Sequence, residues 1–183
     1  MNKKIILVFV TTGLLACNFL FPPTPTATPE SIVARPTEAA SQPNDPQDLA
    51  PIEFTIVRLH PEGGVLQTML ADEAQKAEAL GQMPVVEFDA TWCPPCQAID
   101  AAIKSKNELM LKAYSGTYII KLDVDQWGWG DSRLHDFRFD AIPVYFKLDS
   151  EGRQTGEIID GGAWGPDIPE NIAPVMDEFF HGD

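Results

Sequence analysis

Ala90-Thr91-Trp92-Cys93-Pro94-Pro95-Cys96 decides the fold of this chain. Two cysteines stand three apart, after an apolar run and before a helical pattern. On the first turn of a helix such a pair can close a small disulfide. The leading sulfur then lies at the positive end of the helix dipole, where a thiolate is stabilised. That is redox chemistry, and it requires an accessible, reactive Cys93.

Outward from the pair, strands and helices alternate. Upstream, Pro84 opens Val85-Val86-Glu87-Phe88, which reads as a buried central strand. Before it, apolar residues at helical spacing predict a helix over Val65 to Leu80, stopped by Gly81. Glu53 to Leu59 alternates apolar and polar residues and reads as a strand. Downstream, Pro94 to Lys112 reads as a helix and Thr117 to Val124 as a strand. A short helix is expected over Asp131 to Phe137. Ile142 to Leu148 and Thr155 to Asp160 flank the turn Ser150-Glu151-Gly152 as a hairpin, and Ile168 to Phe180 closes the chain as a helix interrupted or delayed by Pro174. This order predicts an α/β fold: a mixed sheet of parallel strands plus a C-terminal antiparallel hairpin, flanked by helices.

The order of elements resembles thioredoxin over roughly Glu53 to Phe180. Three segments carry the resemblance: Trp92-Cys93-x-x-Cys96, Lys121-Leu122-Asp123-Val124-Asp125, and Ala141-Ile142-Pro143 before an apolar strand. The resemblance implies a thioredoxin-like fold and a protein-disulfide oxidoreductase with a Cys93–Cys96 disulfide. Cys93 would be the nucleophile and Cys96 the resolving thiol. Pro143 would be a cis-proline facing the disulfide, with Ile142 and Trp92 lining the substrate groove. Glu87 would occupy the buried acid position, usually Asp, from which it takes the Cys96 proton. Glu is one methylene longer, which changes its reach. A solvent-facing edge acid is the other reading. Lys121 either balances Glu87 or is a plain surface lysine. Asp89 lies on the same face as Glu87, where it would repel a thiolate unless it is simply exposed to water.

The spacers Pro94 and Pro95 suit a first helical turn, because a proline there forfeits no helical hydrogen bond. They also remove two N–H groups near the Cys93 sulfur and stiffen the loop. Both effects favour the disulfide, toward a reducing potential near the about −270 mV of thioredoxin rather than about −120 mV.

The N-terminus has its own logic. Lys3-Lys4 precedes an apolar stretch, Ile5 to Leu15, too short to span a bilayer alone. Leu14-Leu15-Ala16-Cys17 resembles the lipobox of bacterial lipoproteins, which implies cleavage before Cys17 and lipidation of that cysteine. The other reading is an uncleaved anchor. Either places the remainder outside the cytoplasm, lipid-anchored or spanning at a bacterial membrane. Eight prolines between Pro22 and Pro51, among Thr, Ser and Ala, read as an extended tether. The expected organisation is a signal peptide over 1–16, a linker over 17–51 and the folded domain over 52–183.

The 183 residues carry a net charge of −14, with no basic cluster, which argues against nucleic acid. Trp127-Gly128-Trp129-Gly130 reads as a loop whose tryptophans fold back onto the domain or meet a partner. His60, His135 and His181 show no ligand spacing, so no metal or cofactor is expected. Three functions compete. The first is a membrane-tethered reductase of protein disulfides, acting as a monomer and recharged by a membrane electron donor. The second is a copper(I) carrier using the same cysteine pair. The third is a redox-inert scaffold.

Overall fold

The structure, a computed structural model, describes residues 53–129, 134 and 136–182. The expectations for the signal peptide, Cys17 and the linker lie outside the described residues. Five strands form one sheet: β1 (Thr55–Leu59), β2 (Met83–Asp89), β3 (Thr117–Asp123), β4 (Val144–Leu148) and β5 (Gln154–Asp160), in the order β1-β3-β2-β4-β5. β1, β3 and β2 run parallel; β4 is antiparallel to both its neighbours, β2 and β5. β3 is buried along its whole length, as a central strand covered on both faces must be.

The helices are α1 (Leu66–Ala79), α2 (Pro94–Lys104), α3 (Glu108–Tyr114), α4 (Val124–Trp127) and α5 (Pro169–His181). Alternate residues of each strand feed two cores. Val86, Phe88, Ile120, Leu122 and Phe146 pack with α1. Val85, Ile119 and Tyr145 pack with α2, α3 and α5. The same alternation sends Glu87 and Asp89, two and four residues after Val85, to the α2 face.

The expected helix over Pro94 to Lys112 is two helices. Lys106 takes a left-handed backbone, φ 60°, and Asn107 then caps α3, its Oδ1 accepting the N–H groups of Leu109 at 3.1 Å and Met110 at 3.2 Å. An asparagine side chain that satisfies a helix start competes with continuing the preceding helix. The break lets α3 turn its buried face, Met110, Ala113 and Tyr114, onto α5. A second difference follows β3. Asp123 ends the strand and caps α4, accepting the Asp125 N–H at 2.8 Å, so a helical turn occupies a segment read as strand end and loop. The helix expected over 131–137 falls largely outside the described residues. Pro174 sits inside α5 rather than breaking or delaying it.

The β4–β5 turn is clamped to α1. Gly152 has φ 73°, and a Cβ there would stand 2.5 Å from the backbone N of Ala71. Glycine alone meets both demands. Among the described residues no helix is long and apolar enough to cross a membrane.

Candidate active site

Cys93 is the residue before α2, and its sulfur caps that helix by accepting the Cys96 N–H at 3.3 Å. Pro94 and Pro95 hold the first two helical positions, so neither offers an N–H to the sulfur. Cys93 and Cys96 form a disulfide with Cα atoms 5.3 Å apart. Across from it the Ile142–Pro143 peptide is cis, and the Ile142 carbonyl oxygen lies 3.7 Å from Cys93 Sγ. A disulfide sulfur carries no hydrogen, so this is a contact rather than a hydrogen bond. Gly161 stands behind the proline, its N–H donating to the Pro143 carbonyl at 2.9 Å.

The expectation of an accessible Cys93 is not met in this oxidised state. Each cysteine is only 1% exposed. Both join the apolar cluster that also holds Ala90 and Trp127, against which Ile142 packs. Trp92, by contrast, is 53% exposed and anchored by its indole N–H donating to Asp125 Oδ2 at 2.8 Å. Trp92, the disulfide and Ile142–Pro143 thus share one rim of the domain.

Beneath α2 lies a charged row dictated by strand register. Arg58 of β1 stands beside Lys121 of β3, Lys121 beside Glu87 of β2, and Glu87 beside Tyr145 of β4. Glu87 is 1% exposed, which excludes the solvent-facing reading. Burial is the largest influence on its carboxyl and pushes its pKa up to about 7, against the opposing pull of Lys121. The Lys121 ammonium is 3.2 Å from Glu87 Oε1, 3.0 Å from Asp89 Oδ2 and 2.6 Å from Asp100 Oδ1. Glu87 Oε1 nevertheless accepts no well-aligned hydrogen bond, so its pairing with Lys121 is mainly coulombic. Lys121 is buried, not a surface lysine. Burial opposes its charge, but the three carboxylates around it raise its pKa overall.

Asp89 is neither exposed nor free to repel a thiolate. Arg58 holds it two-pronged, Nη1 to Oδ1 at 2.8 Å and Nη2 to Oδ2 at 2.7 Å. Burial pushes its carboxyl up, yet Arg58 and Lys121 together bring it below the ordinary range. Asp100 lies one helical turn after Cys96 on α2, and the chain Asp100–Lys121–Glu87 runs from that helix down to the sheet beneath it. The Tyr145 hydroxyl meets that of Tyr114 at 3.0 Å; burial and the Glu87 charge push both phenols up.

Arg58, Asp100 and Tyr145 escaped the sequence reading. Arg58 had a signal: Phe54, Ile56 and Arg58 alternate on one face, which puts a cation into an otherwise apolar row. Of the glycine-flanked tryptophans, Trp127 folds inward, fully buried with its indole N–H donating to the Leu59 carbonyl at 3.2 Å, while Trp129 stays half exposed against Phe139. His60 and His181 are exposed and apart from the cysteines, and His135 lies outside the described residues. Among the described residues no group of three or more His, Cys, Asp or Glu is gathered to hold a metal.

Comparison with known proteins agrees with this geometry. The sequence pattern of the thioredoxin family matches residues 68–163, which contain both cysteines and the cis-proline. Thioredoxin H4 of Arabidopsis thaliana is 30% identical over 88 residues, 48% of this chain and 65% of that protein. Mitochondrial thioredoxin O of Oryza sativa is 35% identical over 88 residues, 48% of this chain and 47% of that protein. The chain therefore spans about half to two thirds of the length of these curated relatives. Among solved structures, Trichomonas vaginalis thioredoxin aligns over 68% of this chain and 96% of its own, with 24% identity and a TM-score of 0.45. With a matching pattern over more than half of its length, the β1-β3-β2-β4-β5 sheet and the paired cysteines at the start of α2, the chain belongs to the thioredoxin family.

Proposed function

We propose that this chain is a thiol–disulfide oxidoreductase that reduces protein disulfides while tethered by a lipid to the outer side of a bacterial membrane. The observation that carries the activity is the Cys93–Cys96 disulfide capping α2 opposite cis Ile142–Pro143, with an acid of pKa about 7 buried under the helix. In the reduced protein, the Cys93 thiolate attacks one sulfur of a substrate disulfide. A mixed disulfide forms at Cys93, and one substrate thiolate leaves and takes a proton from water. Glu87 then accepts the Cys96 proton, and the Cys96 thiolate attacks Cys93 Sγ. The Cys93–Cys96 bond forms, the bond to substrate breaks, and two electrons have passed to the substrate. A reduced partner at the membrane must return them by the reverse exchange.

The Ile142–Pro143 backbone beside the disulfide suits pairing with an extended substrate strand, with exposed Trp92 as an apolar wall. The tether rests on sequence alone: Lys3-Lys4, the apolar stretch to Leu15, Leu14-Leu15-Ala16-Cys17, and the proline-rich segment to Pro51. Such a segment would hold the redox domain clear of the lipid surface.

A Cys96→Ser variant tests the activity. It should trap insulin as a stable mixed disulfide at Cys93, while the parent protein precipitates insulin in the presence of dithiothreitol. Absence of both products overturns the reading. The tether is tested separately. Full-length protein made in a bacterial host should incorporate labelled palmitate and partition with membranes, and Cys17→Ala should abolish the label.

A further inference from the structure

The mechanism above uses Glu87, which pairs with Lys121, but leaves the neighbouring ion pair unexplained. Arg58 and Asp89 face the same side of the sheet as that pair, and Asp89 competes with Glu87 for one ammonium: Lys121 Nζ is 3.0 Å from Asp89 and 3.2 Å from Glu87. Two buried carboxylates sharing one cation cannot both be fully neutralised. The guanidinium supplies the missing charge. Its planar fork matches both oxygens of Asp89 at once, a geometry a lysine cannot reproduce.

We propose that Arg58 and Asp89 are a positioning pair: by occupying Asp89, Arg58 leaves the Lys121 ammonium to Glu87 and so sets the pH at which Glu87 can take the Cys96 proton. The proposal rests on Glu87 acting at Cys96, as argued above. The charged and titratable groups acting on Glu87 are Lys121 from β3, Asp89 on its own strand, Arg58 from β1, Tyr145 from β4, Tyr114 from α3, and Asp100 from α2. The tyrosines stay neutral through the working range because burial raises them. Asp100 is half exposed and holds Lys121 at 2.6 Å from the α2 side, a contact that involves neither Arg58 nor Asp89. The adjustable element is therefore the division of Lys121 between Glu87 and Asp89. A cleft of about 290 Å³, lined by Arg58, Asp89, Thr91, Gln97 and Asp100, opens beside the pair and lets solvent reach it.

Charge bookkeeping makes the two partners act in opposite directions. Arg58→Gln strips Asp89 of its fork, draws Lys121 toward Asp89 and leaves Glu87 harder to ionise. Asp89→Asn removes a like charge beside Glu87 and frees Lys121 for it, so Glu87 ionises more readily. The reaction to follow is release of thionitrobenzoate from a mixed disulfide at Cys93 as Cys96 attacks, in single-turnover mixing across pH 5 to 9. The acid-side midpoint should rise by about half a unit or more in Arg58→Gln, fall by a similar amount in Asp89→Asn, and return near the parent value in the double variant. Arg58→Lys, which keeps the charge without the fork, should fall between parent and Arg58→Gln. Thermal denaturation identifies any variant that has lost its fold, and the others decide the outcome. Midpoints that move together, or do not move, overturn the proposal. Glu87→Gln separates it from the reading beneath: if that variant keeps the parent's midpoint, Glu87 is not the base, whereas its loss with an unmoved Arg58→Gln rejects only the positioning pair.

Discussion

Glu87→Gln should stabilise the oxidised protein, and by an amount that grows with pH. Burial raises this carboxyl from its ordinary 4.5 to about 7. The native state therefore binds the Glu87 proton more tightly than the unfolded chain does. Stability declines as pH climbs from the unfolded value through the folded one, and the full penalty stands above about pH 7. The difference of about 2.5 pH units, at about 1.36 kcal/mol per unit, corresponds to about 3 kcal/mol, most of which falls between pH 5 and 8.5. Glutamine preserves the shape and removes the titration. Lys121 keeps two carboxylates, Asp89 and Asp100, so the variant does not strand a buried cation. The assay is urea denaturation of parent and variant, both oxidised, at pH 5 and pH 8.5. Every other titrating group cancels when the stability difference at one pH is subtracted from that at the other. The increment should rise by about 2–3 kcal/mol toward the higher pH. An increment that is flat, or that shrinks with rising pH, would mean that Glu87 is ionised and well compensated in the native state, and the reasoning about its burial would fail.

Other consequences follow from single contacts. Pro95→Ala returns an N–H at the second helical position, where a residue capping a helix expects a donor; it should stabilise the Cys93 thiolate and make the potential more oxidising by about 30 mV or more in a glutathione titration. Gly152→Ala forces a Cβ into the α1 backbone at a left-handed position and should cost about 2 kcal/mol or more in thermal or chemical denaturation. Lys121→Met leaves Glu87 and Asp89 to share Arg58, so at pH 8 it should lose about 3 kcal/mol or more, with part of the loss recovered near pH 5 as Glu87 takes up a proton. Trp127→Phe removes the indole bond to Leu59 and should cost about 1 kcal/mol or more in thermal or chemical denaturation.

Strand periodicity and punctuation are enough to read most of the fold. Val85 to Phe88 is apolar enough to demand a central strand, and Ser150-Glu151-Gly152 can only be a turn. The helix after the cysteines reads too long because apolar spacing continues through Leu109 and Met110. The reversal at Lys106 and the Asn107 cap are local events that periodicity does not register. The turn at Val124–Trp127 escapes for the same reason: Asp123 looks like a strand residue until its side chain is seen to cap a helix.

The sequence by itself determined that two thiols sit at the start of a helix, because cysteine spacing and the flanking prolines are local. It also determined that a carboxyl would lie inside a strand flanked by apolar residues. Only the tertiary structure decided what charge surrounds that carboxyl. Arg58, the segment holding Glu87, Asp89 and Asp100, and Lys121 are far apart along the chain, and strand register across β1, β3 and β2, with α2 laid over them, links them through contacts of 2.6–3.2 Å. Electrostatic energy depends on distance through space, and a one-residue slip of any strand would have turned these side chains to the opposite face.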